Sequence, residues 1–177
     1  MTSATIASAL QRVRVLLTRR PHAAIHADEP AIARWDEGAR VITRHANGMH
    51  VVTDMPAELG GAGDQASPGW LLRAALASCL ATRIAMEAAA RSIAVARLEV
   101  IAASHSDARG LLGMRDHEGE RIPAAPCEVR LQVSIAATNV AGDVLKDMIE
   151  ESQRCSPVCA AVERSVPVSL EIKVDPN

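Results

Sequence analysis

The stretch Ser67–Arg91, with the sequence SPGWLLRAALASCLATRIAMEAAAR, constrains the fold more than any other part of the chain. Ser67 is suited to cap a helix, and Pro68 fits the first turn, where its missing N–H costs nothing. Strong helix formers fill the stretch, and no Gly or Pro follows Gly69 within it. Because apolar residues occupy nearly every side of this helix, we expect it to be buried on nearly all sides.

Apolar residues make up 49% of the 177-residue chain, which suffices for the core of one compact domain or one protomer of an intimate dimer. Phe and Tyr are absent, and Trp35 and Trp70 are the only aromatic residues. Such an aliphatic core favours close approach of helices. The net charge of −2, with no tail of one sign, argues against a nucleic-acid partner. No apolar run is long enough to predict a membrane span.

The chain has four cysteines, Cys79, Cys127, Cys155 and Cys159, and shows no secretion signal. This combination predicts a reducing compartment, the cytoplasm, in which thiols are either inert or catalytic. Cys155 and Cys159 form a CxxxC pair, but no second Cys/His pair stands at ligand spacing. We therefore expect neither a metal nor a cofactor.

Cys79 lies about three turns inside the predicted helix, too far from its start to be activated by the helix dipole. A nucleophilic Cys79 needs a nearby cation, because the thiolate is the reactive form of cysteine. The candidates are Arg83, one turn further along the helix, and an arginine of residues 39–44. The alternative is that Cys79 is an inert core thiol.

The dipeptide at positions 156–157 repeats the Ser-Pro signature of positions 67–68, so a short helix is expected to begin there. Cys155 precedes this start and Cys159 falls within the first turn, where free N–H groups favour a thiolate. One of these thiols is therefore a candidate to pair with Cys79, so that one thiol of the pair attacks and the other resolves. Alternatively, both are small residues in a crowded turn.

The rest of the chain alternates between helix and strand patterns. Residues 4–20 predict an amphipathic helix docked on the domain, and Asn139 is expected to cap another helix that ends near Ser152. The predicted strands are Ala31–Trp35, Ala39–Arg44, Met49–Thr53, Val95–Ser104, Cys127–Ile135 and Val166–Val174. Cys127 is expected on the buried face of its strand. One-sided strands with helices on one face predict an α+β fold, mostly antiparallel.

Three motifs occur together in an order that is typical of one family. ELGGAG precedes Ser67-Pro68, ten residues separate Pro68 from Cys79, and a distant CSPV precedes a VPV strand. This combination resembles the OsmC/Ohr family, the osmotically inducible and organic hydroperoxide resistance proteins. The resemblance runs from about Trp35 to Val174. It divides the chain into an N-terminal helix and linker, residues 1–30, and an OsmC-like domain, residues 31–177.

The resemblance implies an intertwined homodimer, in which two long central helices pack against curved antiparallel sheets and the active sites lie at the subunit interface. It implies thiol-dependent reduction of organic hydroperoxides or hydrogen peroxide. Cys79 matches the peroxidatic cysteine, and Arg40 matches the arginine that activates it. Cys155 is the better match to the resolving cysteine. Cys159 remains a rival, because Ser156 stands directly before Pro157, where the family has that cysteine.

In such a mechanism the Cys79 thiolate attacks the peroxide and becomes a sulfenic acid. Cys155 or Cys159 condenses with it, and an external dithiol reduces the disulfide. Residue type predicts an apolar pocket for the hydroperoxide, with a lining drawn from Leu72, Leu76, Met86 and Trp70.

One position departs from the family pattern. Peroxidatic members carry a glutamate that partners the arginine ten residues before the cysteine, and this chain has Gly69 there. Glu58 and Asp54 are the nearby carboxylates. This departure supports two alternatives, a non-catalytic dimer that binds a small apolar ligand and a redox sensor that forms the disulfide without efficient turnover.

Overall fold

The computed structural model describes residues 3–174. Its helices are α1 (Ser3–Arg19), α2 (Pro68–Ala90), α3 (Ala108–Leu111), α4 (Gly142–Arg154) and α5 (Pro157–Glu163). Its strands are β1 (Ile32–Trp35), β2 (Val41–Arg44), β3 (His50–Thr53), β4 (Val95–His105) and β5 (Glu128–Ala137). The helices predicted around residues 4–20, 67–91 and 156–157 are therefore confirmed.

Helix α2 begins as its sequence predicts. The Trp70 N–H donates a hydrogen bond to the Ser67 side chain at 3.2 Å, and Pro68 opens the first turn. Leu76, Leu80 and Ile84, spaced by four residues, are buried on one side of the helix. The opposite side, which includes Ser78, Thr82 and Ala85, is exposed. Within one chain α2 is therefore buried on one side only. For the single chain, the prediction that α2 is buried on nearly all sides is wrong.

The strands form two antiparallel sheets. One has three strands in the order β1-β2-β3, and the other pairs β4 with β5 along almost their whole length. In the first sheet, the Asn47-Gly48 turn between β2 and β3 forms as predicted, with Gly48 at a φ of 90°. The inward residues of β4 and β5 alternate along each strand and pack on the core. The α+β class with antiparallel sheets is confirmed.

The core lies where α2 meets the second sheet and the two later helices. Leu80 and Ile84 of α2 cluster with Met148 of α4 and Cys159 of α5, and β4 and β5 cover them from one side. Helix α1 packs along α2. The core thus holds the middle of α2 and the start of α5 in fixed positions relative to each other.

Three local predictions are wrong. Val166–Val174 is described by the structure, but it forms no strand and its apolar side chains are exposed, with Val168 at 94% and Leu170 at 84%. A strand needs a neighbour to satisfy its backbone, and this segment has none among residues 3–174. Cys127 lies just outside β5 and is exposed. Asn139 adopts a left-handed turn, with a φ of 58°, and α4 begins only at Gly142.

Candidate active site

An open groove of about 480 Å³ lies beside the middle of α2 and the start of α5. The residues that line it are Ala75, Ser78, Cys79, Thr82, Arg83, Met86, Cys155, Pro157 and Val158. Arg83 is the only one of these residues that carries a full charge, so the groove suits small, largely apolar molecules. We call it the thiol groove.

The thiol groove differs from the lining that residue type predicted. Met86 lines it, as expected. Leu76 is instead part of the buried core, and Leu72 packs against that core. Trp70 lies near the start of α2, half exposed, beside a separate hollow that Arg73 also lines. The apolar character of the groove therefore comes from small residues of α2 and from Met86, Pro157 and Val158.

Cys79 is half-buried on the wall of the thiol groove, and a hydroxyl contacts its sulfur. Ser156 is the N-cap residue of α5 and is fully buried, and its Oγ donates a hydrogen bond to Cys79 Sγ at 3.2 Å. Cys79 is thus neither sealed in the core nor fully exposed to solvent. Sequence reasoning placed Ser156 beside the thiol pair as a helix cap, and it did not predict the contact with Cys79.

The two candidate resolving cysteines lie in different surroundings. Cys155 is exposed and lines the thiol groove together with Cys79, and its thiol donates a hydrogen bond to Glu151 Oε1 at 3.4 Å. Cys159 is 2% exposed and packs in the core against apolar side chains. The structure therefore brings Cys79 and Cys155 to one groove. It places Cys159 on the inner side of α5.

Arg40 belongs to a second cluster, near the start of β2. Its guanidinium Nη2 lies 3.2 Å from Oδ2 of Asp54 and also bonds Asp64. Asp54 is only 3% exposed and accepts further hydrogen bonds from the N–H groups of Met55 at 2.8 Å and Ala62 at 3.0 Å. These two N–H groups and Arg40 hold the pKa of Asp54 below its usual range, and Asp54 and Asp64 raise the pKa of Arg40.

The glycine-rich turn ELGG makes the Arg40 cluster possible. A Cβ at Gly61 would collide with the carbonyl of Met55, so only glycine allows the chain to approach Asp54 this closely. The neighbouring N–H of Ala62 then reaches the Asp54 carboxylate. Of the nearby carboxylates considered from sequence, Asp54 rather than Glu58 holds Arg40. Asp64 was missed, because a loop residue carries no periodic signal.

Within one chain, the Arg40 cluster and the thiol groove have no lining residue in common. The cation on the groove wall is Arg83, whose Nη2 lies 3.3 Å from Glu87 Oε2. Glu87 is also bonded by Arg91 at 2.8 Å, and Arg91 chiefly, with Arg83, lowers the pKa of Glu87. Among residues 3–174 the buried Nε of Arg83 has no hydrogen-bond partner.

Two further classes of site can be judged from the described part of the chain. Among residues 3–174, no three His, Cys, Asp or Glu side chains are grouped so that they could hold a metal ion. In the same range, no helix has the length and apolarity needed to cross a membrane.

This combination of fold and thiol groove defines a class of small α+β proteins with a cysteine on a long central helix. A family model of OsmC-like proteins matches residues 61–171, which is more than half of the chain. The chain therefore belongs to the OsmC-like protein family. None of the curated proteins compared with it matches the sequence.

Solved structures show the same fold at low sequence identity. An OsmC-like protein from Mycoplasma pneumoniae is similar with a TM-score of 0.64 and 15% identity, over 78% of this chain and 89% of that one. An OsmC-like protein of unknown function from Vibrio cholerae has a TM-score of 0.63 and 13% identity, over 78% and 95%. An organic hydroperoxide resistance protein from Elizabethkingia anophelis has a TM-score of 0.58 and 21% identity, over 78% and 89%.

Proposed function

We propose that this protein reduces organic hydroperoxides at Cys79. The observation that carries the proposal is the half-buried Cys79 thiol, which faces a largely apolar groove and accepts a hydrogen bond from Ser156 at 3.2 Å. Membership of the OsmC-like family and the hydroperoxide resistance protein among the structural neighbours support it. Apolar walls favour alkyl hydroperoxides over hydrogen peroxide, because burial of an alkyl chain adds binding free energy that hydrogen peroxide lacks.

The first chemical step forms a sulfur–oxygen bond. The Cys79 thiolate attacks the terminal peroxide oxygen, the O–O bond breaks, and the organic fragment leaves as an alkoxide that takes up a proton to become the alcohol. Cys79 is then a sulfenic acid, oxidised by the two electrons that the peroxide has gained. A cation that faces the departing oxygen would stabilise its negative charge.

We further propose that Cys155 resolves the sulfenic acid. It shares the thiol groove with Cys79, whereas Cys159 is packed in the core. The Cys155 thiol displaces water from the sulfenic acid and forms a disulfide, which an external dithiol reduces. Glu151 Oε1 already accepts the hydrogen bond of that thiol at 3.4 Å, so it lies beside the proton that the thiol must lose, and Arg154 and Cys155 hold the pKa of Glu151 below its ordinary value.

We also propose that the protein is a homodimer and that Arg40 reaches Cys79 of the partner subunit. Three surfaces of the single chain support this assembly: the exposed side of α2, the outward apolar residues of β1 to β3, and the apolar side chains of Val166–Val174. A second copy that pairs with Val166–Val174 would satisfy its backbone and bury these residues. Arg40, already oriented by Asp54, would then supply the cation that the peroxide step needs.

The test is consumption of cumene hydroperoxide in the presence of dithiothreitol. Wild-type protein should consume the peroxide catalytically, and Cys79→Ser should fall to the uncatalysed rate. Cys127→Ser is the matched control, because Cys127 is an exposed thiol outside the groove. Equal rates for wild type and Cys79→Ser would refute the proposal. They would leave a dimer that binds an apolar ligand, or a redox sensor, as the better account.

A further inference from the structure

The hydroxyl of Ser156 does not cap α5, although Ser156 occupies the N-cap position of that helix. A serine at the N-cap normally accepts a hydrogen bond from a backbone N–H in the first turn. Ser67 does this for α2, where it accepts from the Trp70 N–H at 3.2 Å. Ser156 holds the same place before a proline, yet within the described chain its side chain makes no cap hydrogen bond. It donates instead to Cys79 Sγ.

Burial fixes the Ser156 hydroxyl in this contact. Ser156 is 0% exposed, and a buried hydroxyl needs a partner because it has lost its water. A neutral thiol is a weak acceptor, whereas a thiolate accepts a charge-assisted hydrogen bond. The contact is therefore stronger when Cys79 is ionised. Helix α5, anchored in the core by Cys159, holds the hydroxyl in place.

We infer that Ser156 is a catalytic residue, one that stabilises the Cys79 thiolate by a hydrogen bond and aims its sulfur into the thiol groove. The inference rests on the proposed function, because it concerns the same nucleophile. Ser156 keeps its proton throughout. When the sulfur attacks the peroxide, the S–O bond forms, the O–O bond breaks, and the hydrogen bond weakens as the sulfur loses its negative charge.

Stabilisation of a thiolate has two opposing effects on its rate of reaction. The ionised fraction rises with the strength of the hydrogen bond, while the intrinsic nucleophilicity falls by a smaller factor, with a Brønsted coefficient of about 0.4–0.5. A hydrogen bond to a charged group therefore gives a net gain of roughly 3- to 10-fold at neutral pH. At a pH well above the usual range for thiols, a thiol is ionised with or without the hydrogen bond, and only the loss of nucleophilicity remains.

The experiment measures alkylation of Cys79 by iodoacetamide in the reduced, full-length protein, followed by peptide mass spectrometry. At neutral pH, Ser156→Ala should react about 3- to 10-fold more slowly than wild type. At alkaline pH it should react as fast as wild type or faster. Ser106→Ala is the control, because Ser106 is an exposed serine in a loop outside the thiol groove. Its rates should equal those of wild type.

Two results would overturn the inference: an unchanged rate at neutral pH, or a rate that is lower at both pH values, which indicates a purely structural role. If Ser156→Ala does not fold, Ser156→Gly replaces it, because glycine is well tolerated at an N-cap. The alkylation assay contains no peroxide. If Ser156→Ala slows alkylation as expected but the wild-type protein consumes no peroxide, the proposed function is refuted and the stabilisation of the Cys79 thiolate by Ser156 stands. If the wild-type protein consumes peroxide but Ser156→Ala is alkylated at the wild-type rate, the inference about Ser156 is refuted and the proposed function stands.

Discussion

Arg40 and Asp54 form an ion pair in which the carboxylate is buried and the guanidinium is partly exposed, with Nη2 and Oδ2 3.2 Å apart. Two backbone N–H groups also donate hydrogen bonds to the Asp54 carboxylate and fix its position. The ion pair thus orients Arg40 from its own sheet, without a carboxylate on α2. Arg40 is therefore held by Asp54 and Asp64, while position 69 of α2 carries a glycine.

Asp54→Asn should lower the Tm by several degrees at neutral pH, because a carboxylate with a lowered pKa stabilises the folded state when it is ionised. This contribution is complete above the ordinary aspartate pKa of about 3.9 and is lost as the pH falls through the lower folded value. The difference in Tm between wild type and Asp54→Asn should therefore shrink in acid. Thermal unfolding followed by circular dichroism across this pH range measures it.

Asp64→Asn is the matched control for Asp54→Asn. Asp64 also bonds Arg40, but its side chain is 53% exposed, and exposed ion pairs contribute little. Its loss should change the Tm much less than the loss of Asp54. Equal effects of the two substitutions would contradict the view that the buried carboxylate anchors the arginine.

Gly69→Glu should stabilise the protein by about 0.5–1 kcal/mol, because it removes a glycine from a helix and places an acidic residue in its first turn. A Cβ at Gly69 would meet only Arg73 Nη1 and Ser67 Oγ, both at 3.9 Å, so the side chain has room. Gly61→Ala is the contrasting variant and should destabilise strongly, because its Cβ would collide with Met55. Urea unfolding measures both, and a destabilised Gly69→Glu would contradict the view that the start of α2 has room for the side chain.

Cys155→Ser and Cys159→Ser should separate the two candidate resolving thiols. After one equivalent of cumene hydroperoxide, Cys155→Ser should form no intramolecular disulfide and should accumulate sulfenic acid at Cys79. Cys159→Ser should still form the disulfide, but it should unfold about 1–3 kcal/mol more easily, because a hydroxyl replaces a thiol in an apolar core. Mass spectrometry of the oxidised proteins gives the result, and a disulfide that survives Cys155→Ser would contradict the assignment.

Leu170→Asp should weaken the homodimer about tenfold or more, because the proposed assembly buries this side chain, which is 84% exposed in the single chain. Ser169→Asp is the control, because it adds the same charge at a position that would lie on the opposite face once the segment pairs as a strand in the proposed dimer. Sedimentation equilibrium measures both dissociation constants. A monomeric wild-type protein, or equal weakening by both substitutions, would contradict the proposed role of Val166–Val174.

Elements that depend on local sequence were predictable. Helix α2 follows from propensity and from the Ser67-Pro68 start, and the β2–β3 turn follows from Asn47-Gly48, whose backbone preferences act over a few residues. The strand predicted at Val166–Val174 is absent from the described chain. The alternation of apolar residues indicates only that one face of this segment is suited to burial. Alternation does not say which strand, or which chain, covers that face. The same limit applies to the exposed side of α2.

Part of the thiol groove was predictable from sequence. Cys79, Cys155 and Met86 were predicted to lie at the site and line the groove, whereas the predicted leucines and tryptophan do not. The contact between Cys79 and Ser156 joins residues 77 positions apart, and the Ser-Pro pattern predicted a capping hydroxyl there instead. Only the tertiary packing of α5 against α2 determines which of these two roles the hydroxyl takes.

The central claim is that a hydroperoxide oxidises Cys79. The most direct measurement is mass spectrometry of the reduced protein after one equivalent of cumene hydroperoxide, with dimedone present to trap sulfenic acid. We predict that dimedone labels Cys79 ahead of the more exposed Cys127 and Cys155, and that Cys155→Ser increases the label. Label on Cys127 or Cys155 with none on Cys79 would contradict the account, because exposure alone would then determine which thiol reacts.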